Sequence, residues 1–153
     1  LPVAALSAER RFVTVVTDFE IAGPADAFRE GGGLRRHSFD ALGALGLGYP
    51  DLVAAADVVI TKPGYGIVSE CIANSTALLY ASRGGFIEQE VLLREMPRYL
   101  RCAEIGADEL RTGQWAGAIE SLLQRGSAGE TMAANGAGLA AERILRLADE
   151  ATR

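Results

Sequence analysis

The strongest constraint on the fold is an alternation that begins at residue 57. A β-branched or apolar run is followed by a helical stretch, then by a second apolar run and a second helical stretch. Residues 58–61 (VVIT) and 77–81 (ALLYA) read as buried strands, and residues 67–74 and 86–96 as the helices after them. Residues 99–104 form a weaker third strand. Strands separated by single helices specify a parallel sheet with crossover helices, because parallel neighbours cannot be joined by a tight turn. The expectation is an α/β fold, a Rossmann-like parallel sheet with helices on both faces.

Upstream, residues 12–17 (FVTVVT) read as a further strand, broken by Gly23-Pro24, with a short helix over 25–30 ended by Gly31, Gly32 and Gly33. Residues 35–39 are a weak strand, 41–48 a glycine-broken loop, and 51–56 a short helix after Pro50 with an acid in its first turn. Residues 1–11 read as the helix that follows a strand, which leaves room in the pattern for a first strand ahead of Leu1. Downstream, Trp115 reads as packing ahead of a helix over 116–124. The last helix, 137–150, gathers Ala137, Ala140, Ala141, Ile144, Leu145 and Ala148 on one face, which is expected to pack on the sheet. With no repeat and no long linker, the 153 residues read as a single domain.

Composition narrows the function. A hydrophobic content of 49% with 23% charged residues fits a soluble globular chain, and the expected location is the cytoplasm. No apolar run approaches the roughly 20 residues a membrane-spanning helix needs, so no transmembrane segment is expected. A net charge of -5 argues against nucleic acid, whose binding requires a concentrated basic surface. Cys71 and Cys102 stand alone without a CxxC pair, which favours two buried free thiols over metal or redox chemistry, and no metal is expected. The lone histidine, His37, lies beside Arg35 and Arg36 and reads as a surface residue. Lys62 is the only lysine among the 15 basic residues.

Lys62 opens the stretch KPGYG, which joins the strand at 58–61 to the next helix. In open parallel sheets ligands sit beyond the carboxyl ends of the strands, where such loops enter helices. Gly64 and Gly66 let the backbone approach a ligand or adopt positive φ, and the first amides of the helix offer donors to an anion. The same glycines could serve only to make the turn, and Glu70 also fits a solvated helix position. The stretch is neither a GxxxxGK[ST] loop nor a GxGxxG fingerprint, because residue 69 is serine.

DVVITKPGYGIVSE (57–70), ALLYASR (77–83) and FIEQ (86–89) together resemble the donor-binding half of GT-B glycosyltransferases. The similar groups are the UDP-N-acetylglucosaminyl transferase of peptidoglycan synthesis, the UDP-glucuronosyltransferases and the glycosyltransferase-like region of plant arabinokinases. The resemblance covers roughly residues 51–115. It implies that Gly64, Tyr65 and Gly66 face a diphosphate, with Lys62 and Arg83 near phosphate. It further implies that Glu70 holds the ribose hydroxyls, and that Glu88 and Gln89 read the sugar. The implied ligand is a nucleoside diphosphate sugar, UDP-linked, used without a metal or other cofactor. The catalytic base would come from an amino-terminal acceptor domain, so no catalytic residue is assigned within the 153 residues. Ile67 departs from the hydroxyl residue usual at the helix start, and Ser75 and Ala77 replace a common glycine and proline. Those departures favour an alternative, a non-catalytic regulatory or assembly module joined to a sugar kinase.

Overall fold

The computed structural model describes residues 12–18, 33–82 and 87–152. The expected helices at 1–11 and 25–30, the Gly23-Pro24 break, any strand before Leu1, and Arg83 lie outside the described residues.

Two strands open the described fold: β1 (Thr14–Asp18) and β2 (Leu34–Ser38) pair in parallel from Thr14 opposite Leu34 to Asp18 opposite Ser38. Three more strands make a second parallel set in the order β3 (Val58–Thr61), β4 (Ala77–Tyr80) and β5 (Cys102–Glu104). Between β3 and β4 runs α3 (Tyr65–Asn74), and between β4 and β5 runs α4 (Ile87–Tyr99). Shorter helices precede and follow this unit: α1 (Phe39–Ala44), α2 (Tyr49–Ala55), α5 (Ala107–Thr112) and α6 (Ala116–Leu123). The described chain ends in α7 (Gly136–Ala151).

Strand β4 explains why its sequence is apolar throughout rather than alternating. Successive side chains of a strand face opposite sides. Ala77, Leu79 and Ala81 pack with Ile105, Trp115 and the α6 residues Ile119 and Leu122. On the other face Leu78 and Tyr80 pack with Val53 of α2, Val68 and Cys71 of α3, and Met96 of α4. Each face therefore carries its own helical cover, as expected of a central parallel strand. Val16 of β1 packs against the first cluster and joins the amino-terminal pair to it. The described residues form a mixed α/β fold of Rossmann-like type.

Three polar devices fix the helices that flank this core. The buried Thr76 Oγ1 donates to the carbonyl of Val53 at 2.8 Å, tying the end of α2 to the entry of β4. Trp115 is buried, and its indole Nε1 donates to the carbonyl oxygens of Glu109 and Leu110 at 3.0 and 3.1 Å, so it packs as expected while ordering α5. Arg98 forks onto both carboxylate oxygens of Glu130, at 2.9 and 3.1 Å, holding the segment after α6 to the end of α4. Both thiols are free and buried, and burial, reinforced by the neighbouring Glu70 carboxylate, pushes Cys71 up to about 11. That keeps the thiol protonated and unreactive at neutral pH.

Several sequence expectations need correction. The loop expected at 41–48 is half helical, since α1 occupies Phe39–Ala44. Ser38 caps it by accepting from the Ala41 amide at 3.1 Å, and Leu42 is buried, so a helix forms where a loop was expected and carries Gly43 within it. Gly46, at φ 72, makes the stop. Helix α5, absent from the sequence reading, starts where the Gly106 amide donates to Glu109 Oε2 at 2.9 Å. Helix α4 runs past Pro97 to Tyr99, because a proline in the final turn forfeits only one backbone bond. Strand β5 is correspondingly shorter than the expected 99–104.

The largest correction concerns α7, which does not pack on the sheet. Its residues are exposed throughout, Ile144 and Leu145 at 66% each. An amphipathic pattern requires a cover but does not say which element supplies it.

Ser75 ends α3 in the left-handed region at φ 58, a position that costs an L-residue about 1 kcal/mol or more and suits glycine. Ser75→Gly is expected to raise unfolding stability by about 1 kcal/mol in a chemical denaturation series. An unchanged midpoint would mean the serine carries no such strain.

Candidate functional site

The candidate site forms where β3 and β4 deliver the chain to α3 and α4. The Ala81 amide donates to the Thr61 carbonyl at 3.2 Å, so the two strands leave the sheet side by side. From Thr61 the chain crosses Lys62 and Pro63 to Gly64, the N-cap of α3, and at Ser82 it turns toward α4.

Gly64 is extended, at φ -156 and ψ 155, and Gly66 lies within the first turn of α3. Neither is among the residues of positive φ, and a Cβ built on either would meet nothing within 4 Å. The turn therefore does not demand glycine at these two positions, and their missing side chains leave open space above the helix start. No side chain caps α3; the Val68 amide bonds back to Gly64, and Ser69 Oγ donates to the Gly66 carbonyl at 2.8 Å. No side chain accepts from the amides of the first turn, a condition that suits a group bringing negative charge.

An open hollow of about 160 Å³ lies here, lined by Pro63, Gly64, Tyr65, Glu88, Gln89 and Leu92. It joins the start of α3 to the first turns of α4, bringing together four of the residues singled out by sequence. Tyr65 is 59% exposed and forms part of the wall. Gln89 is half-buried, and its Nε2 donates to Ser82 Oγ at 3.1 Å, across the connection between β4 and α4. The remaining candidates stand apart from the hollow. Lys62 is exposed and does not line it. Gly66 and Glu70 lie further along α3, with the Glu70 side chain half-buried beside Cys71.

Pro63, Leu92 and Ser82 were missed by sequence reasoning. Leu92 was within reach, since it follows Glu88 by four residues and so shares its helix face. Nothing in the spacing distinguishes Ser82. Among the described residues, no three His, Cys, Asp or Glu side chains are grouped to hold a metal ion. No helix among them is long and apolar enough to cross a membrane.

A likeness to a curated protein is local. Over 75 residues the chain is 35% identical to L-arabinokinase of Arabidopsis thaliana. That stretch is 48% of this chain but 7% of the relative, so the likeness extends to a small segment of a much longer protein. No protein-family model matches the chain, and no solved structure matches it.

Proposed function

We propose that this chain is a donor-binding domain for a nucleoside diphosphate sugar, with a UDP-sugar the favoured ligand, serving metal-independent glycosyl transfer. The observation that carries the reading is the hollow in which the uncapped, glycine-flanked start of α3 faces Glu88 and Gln89. Main-chain amides suit the diphosphate, and the acidic-amide pair suits vicinal sugar hydroxyls. At about 160 Å³ the hollow is smaller than the roughly 300–1,000 Å³ of ordinary ligand pockets. It would therefore hold the sugar and phosphate end, with the nucleoside running outside it and its ribose hydroxyls on Glu70. A GT-B enzyme works in a cleft between two domains, so transfer itself would require an acceptor domain contributing the base.

Glu70→Ala is expected to weaken UDP-sugar binding by about 1 to 3 kcal/mol, the scale of losing a hydrogen-bonded carboxylate. Unchanged affinity in a folded variant would remove the ribose role.

A second reading is favoured by one specific observation, the 35% identity to a segment of a sugar kinase. Under it the chain is a glycosyltransferase-like module in a polypeptide that also carries a kinase, acting in regulation or assembly rather than transfer. The departures at Ile67, Ser75 and Ala77 support that reading. It predicts that a longer polypeptide containing this segment phosphorylates a sugar and transfers none.

A further inference from the structure

Between Arg125 and Gly136 the chain reads GSAGETMAAN, in which Glu130 is the one charged residue. Behind this stretch the Arg125 guanidinium donates to the Cys102 carbonyl at 3.0 Å, where the packed body ends. Ahead of it residues 131–151 are exposed throughout, α7 included. Glycines and small side chains have little to bury, so Glu130 supplies the attachment that apolar contacts supply elsewhere. It does so at three points. Its amide donates to the Arg98 carbonyl at 3.0 Å, and its two carboxylate oxygens accept from Arg98 Nε and Nη2 at 2.9 and 3.1 Å. Glu95 Oε2 accepts from Arg98 Nη1 at 2.6 Å, and the guanidinium lies 5.2 Å from the centre of the Tyr99 ring, so Arg98 is already oriented for the task. An isolated exposed ion pair contributes little to a structure, but a two-pronged arginine–carboxylate pair within a charge network is the arrangement that does contribute.

From this geometry we infer that Arg98 and Glu130 form a latch that sets the reach of α7. Closed, the latch leaves residues 131–135 as the free tether of the helix; open, it leaves residues 126–135. At up to roughly 3.4 Å per residue, the longest span of the tether then rises from roughly 17 to roughly 34 Å. The uncovered face of α7, Ile144 and Leu145 included, sweeps a correspondingly wider volume around the body. Two of the three bonds are ionic, so ionic strength works the latch: the screening length falls from about 10 Å at 0.1 M salt to about 3 Å at 1 M. A contact that was merely one of several ties would leave α7 in place when cut.

The test reads the distance between body and arm in the full chain, with spin labels on cysteines introduced at Ser121 of α6 and Glu142 of α7, both exposed. Cys71 and Cys102 are buried and stay unlabelled. At 0.1 M salt the expected result is a dominant short-distance population. Glu130→Gln should raise the ratio of long to short distances about five-fold. Arg98→Lys, which keeps the charge and loses the fork, should raise it in the same direction. Salt at 1 M should raise the ratio while Glu130 is present and change it no further in Glu130→Gln. The salt arm needs no substitution in the latch, so it stands even if a variant disturbs the body. A broad distribution at 0.1 M salt with Arg98 and Glu130 intact overturns the inference. So does a distribution that Glu130→Gln leaves unchanged, or a salt response that survives Glu130→Gln.

Discussion

Leu79→Ala is expected to cost about 2–5 kcal/mol of unfolding stability, the range for truncating a fully buried leucine in a core that cannot collapse around the gap. Leu79 has 0% exposure on the central strand and packs among Ile105, Trp115, Ile119 and Leu122, which belong to segments fixed on one face of the sheet. Against a total stability of roughly 5–15 kcal/mol for an ordinary domain, that loss removes a large share of the folded population. The matched control is Leu145→Ala on α7, where 66% exposure predicts a change within about 0.5 kcal/mol. Urea denaturation of both variants separates the two environments. A cost at Leu145 comparable with that at Leu79 would contradict the exposed placement of α7.

The second large effect is expected at Gly64, where folding and binding should part company. Its extended backbone accepts a β-branched residue, and a Cβ there meets nothing within 4 Å, so Gly64→Val should cost no more than about 1 kcal/mol, the scale of a poorer N-cap. The same isopropyl group would stand in a hollow of about 160 Å³ and hold the ligand away from the first amides of α3. UDP-sugar affinity should fall at least thirty-fold, about 2 kcal/mol. A variant that unfolds would mean that the turn needs glycine after all. One that folds and binds normally would move the diphosphate elsewhere.

How far the fold could be read in advance depended on whether local or tertiary partners decide each element. Strand β4 was legible because ALLY is apolar at every position, a pattern that burial on two faces imposes. Helix α3 was legible for the same reason in reverse, since its apolar residues Val68 and Cys71 are three apart and meet the sheet together. Helix α1 was not, because LGALGLG reads as broken chain until one sees that Ser38 caps it and Leu42 anchors it. Helix α5 escaped for a related reason: its start depends on Glu109 reaching back to the Gly106 amide, and glycine is a weak cap signal. The cover of α7 lay beyond any reading of its own residues.

The site divides along the same line. That KPGYG and the EQ pair share one end of the sheet follows from parallel topology, in which every strand delivers its loop to the same edge. The hollow between them depends on side chains whose meeting is tertiary, Leu92 and Ser82 above all, and no spacing in the chain announces the hydrogen bond from Gln89 to Ser82. The glycines illustrate the gain from the structure. Sequence alone leaves a turn-making role open for Gly64 and Gly66, whereas their backbone angles and open surroundings remove that requirement.

The central claim is that the start of α3 and the first turns of α4 together hold a nucleoside diphosphate sugar. Titration of the isotopically labelled chain with UDP, UDP-glucose, UDP-N-acetylglucosamine and ADP, followed through the amide signals of Gly64, Gly66 and Gln89, tests it most directly. Saturable shifts of all three signals with a UDP-sugar, and weaker ones with ADP, are the predicted result. A folded sample whose signals stay fixed with all four nucleotides, up to millimolar concentration, would contradict the claim and leave the hollow without a donor-binding role.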